Sequence, residues 1–335
     1  MAALSVLNPT LLDLAKVTDP DGKIANVVEI LNETNEILDD MTWIEGNLTT
    51  GNMFSQRTGI PAPTWRKLYG GVAPNKSTNV QVTNTCGMME AYAEVDKALA
   101  DLAGNAAAFR LQEDRAHIEG INQELADTLF YGNETTEPEA FTGFSPYYNS
   151  LSAATGENIV NGAGSGTDNA SIWLIVWSPL TVFGIIPKGS KAGMQVTDKG
   201  QVTVEDASNG SNTGRYEAYR THYRFDAGLC VRDWRYAVRI ANIDKSALTK
   251  DAASGADLPS LMFQAMRKIP NMNMGRPAFY ASRDIITMLG QQTANLTKSS
   301  TLTHEMVGGK FVERFHGIPV RRVDALSADE GAAIT

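Results

Sequence analysis

Histidine and cysteine are scarce in this chain, and their scarcity narrows the chemistry. The four histidines, His117, His222, His304 and His316, stand in no HxxxH or HxH spacing, so a histidine-built metal centre has no support. His304-Glu305 lacks a second ligand four residues on and reads as exposed polar chain. The two cysteines, Cys86 and Cys230, are far apart and in no ligand spacing; they read as buried, reduced thiols of a reducing compartment. Positive charge is also short. Lys and Arg number 29 against 38 Asp and Glu, for a net charge of -9, so the chain has no bulk attraction to phosphate and is not expected to wrap nucleic acid directly. It could still form a wall to which nucleic acid does not adhere.

Long apolar runs are missing too. The best membrane candidate, Ile172 to Ile186, falls short of the roughly 20 residues a spanning helix needs, and Ser178, Pro179 and Gly184 interrupt it. Its β-branched and aromatic residues fit two buried strands around a Ser-Pro turn. Residues 1–20 carry no basic segment followed by an apolar core, so synthesis inside the cell is expected, and the Asn-x-Ser/Thr triplets at Asn47 and Asn75 carry no meaning there. The catalytic signatures GxSxG, Walker loop, HExxH and GxGxxG-before-helix are absent. The glycine-rich Asn161–Asp168 piece (NGAGSGTD) precedes an apolar strand, so it reads as a flexible linker rather than a phosphate cradle. A hydrolase built from scattered Ser, His and Asp would have to rely on residues such as His222 or His316. No cofactor or metal is expected.

What is present is structural. The 335 residues, 43% of them apolar, suffice for a sizeable core in two or three units. Val27, Val28, Ile30, Leu31, Ile37 and Leu38 suit one short amphipathic helix between the Asp19–Gly22 turn and the Gly46–Gly51 break. Residues 52–88, with Pro61, Pro63, Pro74 and Gly70-Gly71, read as a long two-stranded loop with a polar tip. Such a ribbon is marginal alone and persists when it lies on something else, such as another subunit. Over 105–131, Leu111, Ile118, Ile121, Leu125 and Leu129 recur at the helical period. Asn105 can cap the start and Gly132 the end. Val196–Val204 reads as a hairpin turning at Asp198–Gly200, and 206–214 as a mobile loop.

The block Tyr216–Ile243 (YEAYRTHYRFDAGLCVRDWRYAVRIANI) alternates in strand fashion, with arginines as the polar alternates. Trp234, Tyr236, Val238 and Ile240 would share one face, and Asp233, Arg235, Ala237 and Arg239 the other. A solvated face of mixed charge explains this pattern. So does a contact with other copies, because arginine pairs carboxylates bidentately and stacks on aromatics. Downstream, Leu261, Met262, Ala265 and Met266 suit a helix ending by Pro270. Pro277–Ala281 suits a buried strand, Arg283–Leu289 a helix stopped by Gly290, and Val312–Val323 a strand, turn and strand: an α+β unit.

The order of these parts, with Ser171–Pro179 (SIWLIVWSP), Gly214–Arg220 (GRYEAYR), Gly228–Tyr236 (GLCVRDWRY) and Arg239–Asp244 (RIANID), resembles the major capsid proteins of tailed bacteriophages, of the Hong Kong 97-type fold, and among them the coat proteins of short-tailed phages. The resemblance implies an α+β fold with an N-terminal arm (1–51), an extended loop (52–88), and a peripheral domain (89–250) with its spine helix at 105–131. An axial domain (251–335) would follow, with some segments exchanged with the peripheral domain. It implies self-assembly through pentamers and hexamers into an icosahedral shell around double-stranded DNA, enclosed without sequence-specific binding and without a membrane. A separate scaffolding protein, a portal and a decoration or cement protein are the implied partners. Made in the host cytoplasm, the chain would end in the virion. Trp65, Arg66, Lys67, Tyr69, Arg215, Arg220, Arg224, Arg232, Asp233, Arg235 and Arg239 are the candidate inter-subunit contacts. Lys67 and Lys76 lie in the loop, but no cross-link is predicted. An encapsulin-type compartment shell is the alternative on the same fold.

Overall fold

The computed structural model describes residues 33–191, 193–205, 214–252, 255–295, 302–307, 310–327, 329–331 and 333–335. In chain order the elements are β1 (Trp43–Glu45), β2 (Gly51–Gly59), β3 (Thr78–Asp96), α1 (Lys97–Leu102), α2 (Ala106–Tyr131), β4 (Ile159–Asn161), β5 (Asn169–Trp177), β6 (Val182–Ile186), β7 (Gln195–Glu205) and β8 (Arg215–Val231). They continue with β9 (Ala237–Asp244), α3 (Leu258–Lys268), β10 (Arg276–Ala281), α4 (Arg283–Asn295), β11 (Leu302–Val307), β12 (Lys310–Phe315) and β13 (Ile318–Arg322). The described residues divide into two compact units, one drawn from 33–35, 88–127 and 191–226, the other from 36–87, 128–190 and 227–335.

In the larger unit β5 is the organising strand. All nine of its residues are buried, because β10 pairs with it antiparallel on one edge and β9 on the other. Its alternation therefore serves two cores rather than a core and solvent. Ile172, Leu174 and Val176 pack with Val238, Ile240 and Phe279 under Leu258, Met262 and Ala265 of α3 and Ile285 and Leu289 of α4. The opposite face carries Trp173 and Trp177 against Phe144, with Phe130 and Tyr148 around Trp173. The Ser178–Thr181 turn, held by Thr181 Oγ1 donating to the Val176 carbonyl at 2.6 Å, leads into the fully buried β6. The two buried strands expected around Ser178-Pro179 are thus present.

The sheet continues from β10 through the parallel β13 to β12 and β11. The boundary expected at 250/251 consequently falls inside this unit: 169–177 and 237–244 share a sheet and a core with 258–322. The end of the expected arm is joined to the same unit. Ile37 is fully buried, β1 pairs in parallel with β6, and Asp40 accepts from Tyr280 Oη at 3.0 Å and Arg321 Nε at 3.1 Å. Val27, Val28, Ile30 and Leu31 lie outside the described residues.

The smaller unit is a β7–β8–β3 sheet with helix residues packed against it. Phe109 joins Val95, Leu99 and Ala100, and Ile121 joins Ala93 and Tyr223. The helix expected over 105–131 spans Ala106–Tyr131, with Asn105 Oδ1 accepting from Ala108 N at 3.2 Å as the cap. Its buried stripe differs from the expected one. Phe109, Ile121, Leu125, Leu129 and Phe130 are buried, whereas Leu111 is 55% and Ile118 40% exposed.

Other expectations give way to tertiary pairing. Val196–Val204 is not a hairpin. It is part of one strand, β7, paired along its length with β8, and the Asp198–Gly200 signal is a bulge in that ladder. Gly200 adopts φ +66°, and its N–H donates to Asp198 Oδ1 at 2.8 Å, the left-handed geometry that glycine accommodates at a bulge. Helix α4 runs through Gly290 to Asn295, since a glycine with open space around it costs a helix only about 1 kcal/mol. Most of the expected 206–214 loop, 206–213, lies outside the described residues.

Candidate assembly surfaces

The first surface is the ribbon of β2 and β3. Gly51 pairs opposite Thr85, and the ladder runs to Gly59 opposite Thr78, leaving 60–77 as the tip. The tip is held locally. Asn75 Nδ2 donates to the Ala62 carbonyl at 2.6 Å, Arg66 Nε to the Gly70 carbonyl at 3.1 Å, and Gly70 N to the Lys67 carbonyl at 3.1 Å. Tyr69 turns the chain at φ +62°, a conformation unusual for a residue with a side chain. The tip is not polar as expected: Trp65 and Tyr69 are fully exposed, Leu68 is 92% and Ile60 86% exposed. Burying such a side chain is worth about 2 kcal/mol, so these residues leave a large driving force unused within one chain.

The second surface is a ladder of opposite charges between β3 and β8 in the smaller unit. Every second residue contributes, so the side chains share a face. Arg220 pairs with Glu94 and lies over the Tyr92 ring at 5.7 Å. His222 stacks on Tyr92 and meets Glu90 Oε2 at 3.1 Å. Arg224 grips Asp226 with two bonds, at 2.9 and 3.1 Å, and reaches Glu90 at 3.7 Å. The Asp226 hydrogen bond and charge raise the Arg224 pKa further above its ordinary value, so that charge is permanent. Tyr92 and Met88 are exposed beside it. Arg215 pairs with Glu205 in the open at 3.4 Å.

The remaining candidates are in the larger unit. Arg232 donates to the Pro179 carbonyl at 3.4 Å. Arg235 and Asp233 form a bidentate pair at 3.0 and 2.8 Å, with Asp233 also capping the short helical turn Trp234–Tyr236 through Arg235 N. That turn separates β8 from β9, so the expected continuous alternation from Tyr216 to Ile243 is broken there.

Arg239 departs from the group. Its side chain is 4% exposed, and its guanidinium donates to Ser171 Oγ at 3.0 Å, the Tyr148 carbonyl at 2.8 Å and Glu330 Oε2 at 2.9 Å. It lies over the Trp173 ring at 5.2 Å. Its polarity is satisfied within its own unit, so it has nothing to offer a neighbouring copy. The missed signal was Glu330, which is remote in sequence.

His316 turns the chain between β12 and β13 at φ +48° and stands edge-on to Phe315. Cys230 is buried with Phe183 and Ile185 and beside Cys86 and Phe54. Burial raises its thiol pKa to about 11. Among the described residues no group of three or more His, Cys, Asp and Glu side chains could hold a metal, and no helix is long and apolar enough to cross a membrane.

Against known structures, the chain aligns over its whole length with a chain of the cryo-EM structure of Bacteriophage Epsilon15, covering all of that chain at 37% identity and a TM-score of 0.80. The Bacteriophage JBD30 capsid aligns over 96% of this chain and 100% of its own at 11% identity and 0.48. The SrpI encapsulin of Synechococcus elongatus PCC 7942 aligns over 71% of this chain and 97% of its own at 10% identity and a TM-score of 0.43. No curated protein matches. The architecture is that of a shell subunit with the Hong Kong 97-type phage capsid fold. The model of the family described as major capsid protein GP7 matches residues 19–334, and the chain belongs to that family. It is a component of a phage virion that assembles with copies of itself into a shell.

Proposed function

We propose that the ribbon of residues 52–88 is the main fastening between copies, its apolar tip seated on a neighbouring subunit in the pentamers and hexamers of an icosahedral shell. The observation that carries this reading is the cluster Ile60, Trp65, Leu68 and Tyr69, exposed together on a tip stiffened by its own hydrogen bonds. Arg66 and Lys67 flank it with charge. The ladder of Arg220 and Arg224, with Arg215, Arg232, Asp233 and Arg235, forms a second set of contacts, where geometry-specific charge pairs fix register more than they add affinity. In this assignment α2 is the spine of a peripheral domain within 89–250, residues 1–51 are an arm, and the axial domain of 251–335 also draws on 159–177 and 237–244.

The shell encloses double-stranded DNA without reading its sequence, because a chain of net charge -9 does not attract phosphate in bulk. Scaffolding, portal and decoration proteins are the expected partners, and synthesis is in the host cytoplasm. The chain performs no catalytic turnover. The 37% identity over the full chain with the Epsilon15 structure favours a genome shell over a cellular compartment. Electron microscopy of the purified recombinant protein tests the reading. Shells or polyheads are expected, and a strictly monomeric protein at high concentration would overturn it.

A further inference from the structure

Helix α2 borders a hollow that the fastening surfaces do not use. The hollow measures about 360 Å³ and lies open within the smaller unit, lined by Met89 and Ala91 of β3 and by Ala116, His117, Gly120 and Ile121 of α2, with Glu124 at its edge. Ile121 is buried against Ala93 and Tyr223, with Met89 and Ala91 packed alongside, and the His117 ring lies parallel to that of Tyr223 at 6.4 Å. Space remains because Ala91, Ala116 and Gly120 supply no bulk. No described atom lies within 4 Å of the position a β-carbon on Gly120 would take. The hollow has room for more than one aliphatic side chain.

The path of the chain supplies an independent observation. Glu33 is the first described residue, and its backbone N–H donates to Glu119 Oε1 at 3.0 Å. Gln123 Nε2 donates to the same oxygen at 3.0 Å, which holds that carboxylate in place. Glu119 directly precedes Gly120, so the 32 residues before Glu33 join the fold at the border of the hollow. The nearest of them are apolar: Val27, Val28, Ile30 and Leu31. Val27, Ile30 and Leu31 have the i, i+3, i+4 spacing of one helical face. At up to about 3.5 Å per residue, Leu31 stays within about 7 Å of Glu33 and Val27 within about 21 Å. So short a tether gives these side chains an effective concentration of about millimolar at the hollow, above what a second copy supplies in dilute solution.

We propose that the hollow between α2 and β3 is the seat of this chain's own residues 27–31, with Ile30 and Leu31 entering it and the backbone passing against Gly120. Those five residues lie outside the described ones, and the inference rests on the hollow, on the Glu33–Glu119 bond and on the apolar residues that adjoin it. It concerns a single chain and does not depend on the shell. Gly120 has a reason in this arrangement. A glycine inside a helix is about fivefold less favourable than alanine, and close approach of a second segment is what the missing side chain permits. The seat fixes the point on each subunit from which residues 1–26 depart.

The test is the rate of trypsin cleavage after Lys23 in the full-length protein, held below the concentration at which it assembles. A seated segment four residues downstream keeps that bond from fitting a protease, so cleavage should be slow. Gly120→Leu, which fills the hollow, should speed it by about tenfold or more. Ile30→Ser combined with Leu31→Ser should do the same, and this pair leaves α2 and the hollow untouched, so it decides even if Gly120→Leu fails to fold. A cleavage rate unaltered by the double variant would overturn the proposal. Disulfide trapping identifies the occupant. Ala116→Cys with Leu31→Cys, and Ala116→Cys with Ile30→Cys, are oxidised before and after assembly and run on non-reducing gels. A disulfide within one chain is expected from at least one of the two pairs. Disulfides that join two chains would assign the hollow to a neighbouring copy and overturn the proposal, as would the absence of a disulfide from both pairs.

Discussion

Arg220 and Arg239 occupy similar sequence contexts, each an arginine alternating with apolar residues in a β-strand, and the fold uses them in opposite ways. Arg220 lies on the open face of the smaller unit, 30% exposed, paired with Glu94. Arg239 lies in the interior of the larger unit, 4% exposed, with every arm of its guanidinium occupied. The difference is whether a second layer covers the strand. β9 has cores on both faces, so its arginine had to bring a carboxylate and a carbonyl inside with it. An interior charge of this kind specifies one arrangement of Tyr148, Ser171 and Glu330. A surface charge leaves its neighbours free and remains available to another copy.

The strongest way to break this comparison is Arg239→Ala, which strands the Glu330 carboxylate where the pair is 4% and 8% exposed. A loss of about 3–5 kcal/mol is expected, read as a shift of the denaturation midpoint. A shift no larger than that of Arg220→Ala would remove the contrast.

The buried Cys230 thiol offers a further test within the larger unit. Cys230 titrates at about 11 instead of 9.0 because it is buried. Between those values the folded chain holds the proton and the unfolded chain has released it. Its contribution is therefore whole below pH 9 and is lost as pH rises through about 11. That decline amounts to at most about 2.7 kcal/mol. Cys230→Ser should flatten the stability curve across this window; a slope equal to that of the unmodified protein would refute the assignment.

On the exposed side, Trp65→Ala should leave monomer stability within about 0.5 kcal/mol. It should raise the protein concentration needed for assembly roughly 30-fold, the value of a hot-spot residue worth about 2 kcal/mol. Light scattering over a dilution series measures it, and assembly at the unaltered concentration would remove the tip from the interface. The smallest effect belongs to Arg220→Ala, below about 1 kcal/mol in stability because a partly exposed pair is screened. Its assembly rate should fall less steeply as salt rises than that of the unmodified protein, and a matching salt dependence would take the ladder out of the contact.

Much of the fold was legible. Ile172–Trp177 is β-rich and too short to span a membrane, and it became β5. The 3.6-residue period and Asn105 announced α2. The strand, turn and strand of 312–323 followed from Gly317, which adopts φ +83° at the turn. What failed was decided by partners remote in sequence. Asp198–Gly200 carries hairpin chemistry, but β8 runs alongside both flanks and turns it into a bulge. Gly290 is a stop signal that α4 overrides because its apolar side stays packed on α3. The prolines and the Gly70-Gly71 pair of the loop suggest a polar tip, whereas Ile60, Trp65, Leu68 and Tyr69 stand exposed on it, uncovered by any part of the described chain.

The sequence by itself determined the local matters: which segments are strand or helix, where capping and turning residues sit, and that the chain is acidic and poor in histidine and cysteine. These depend on neighbours a few residues apart, whose backbone preferences act without the rest of the molecule. Tertiary structure alone decided which arginines are interior, which apolar side chains stay uncovered, and that Glu33 meets Glu119. Such outcomes depend on which layers stack and on strand register between distant segments, as between Arg239 and Glu330, 91 residues apart, and no local preference encodes them.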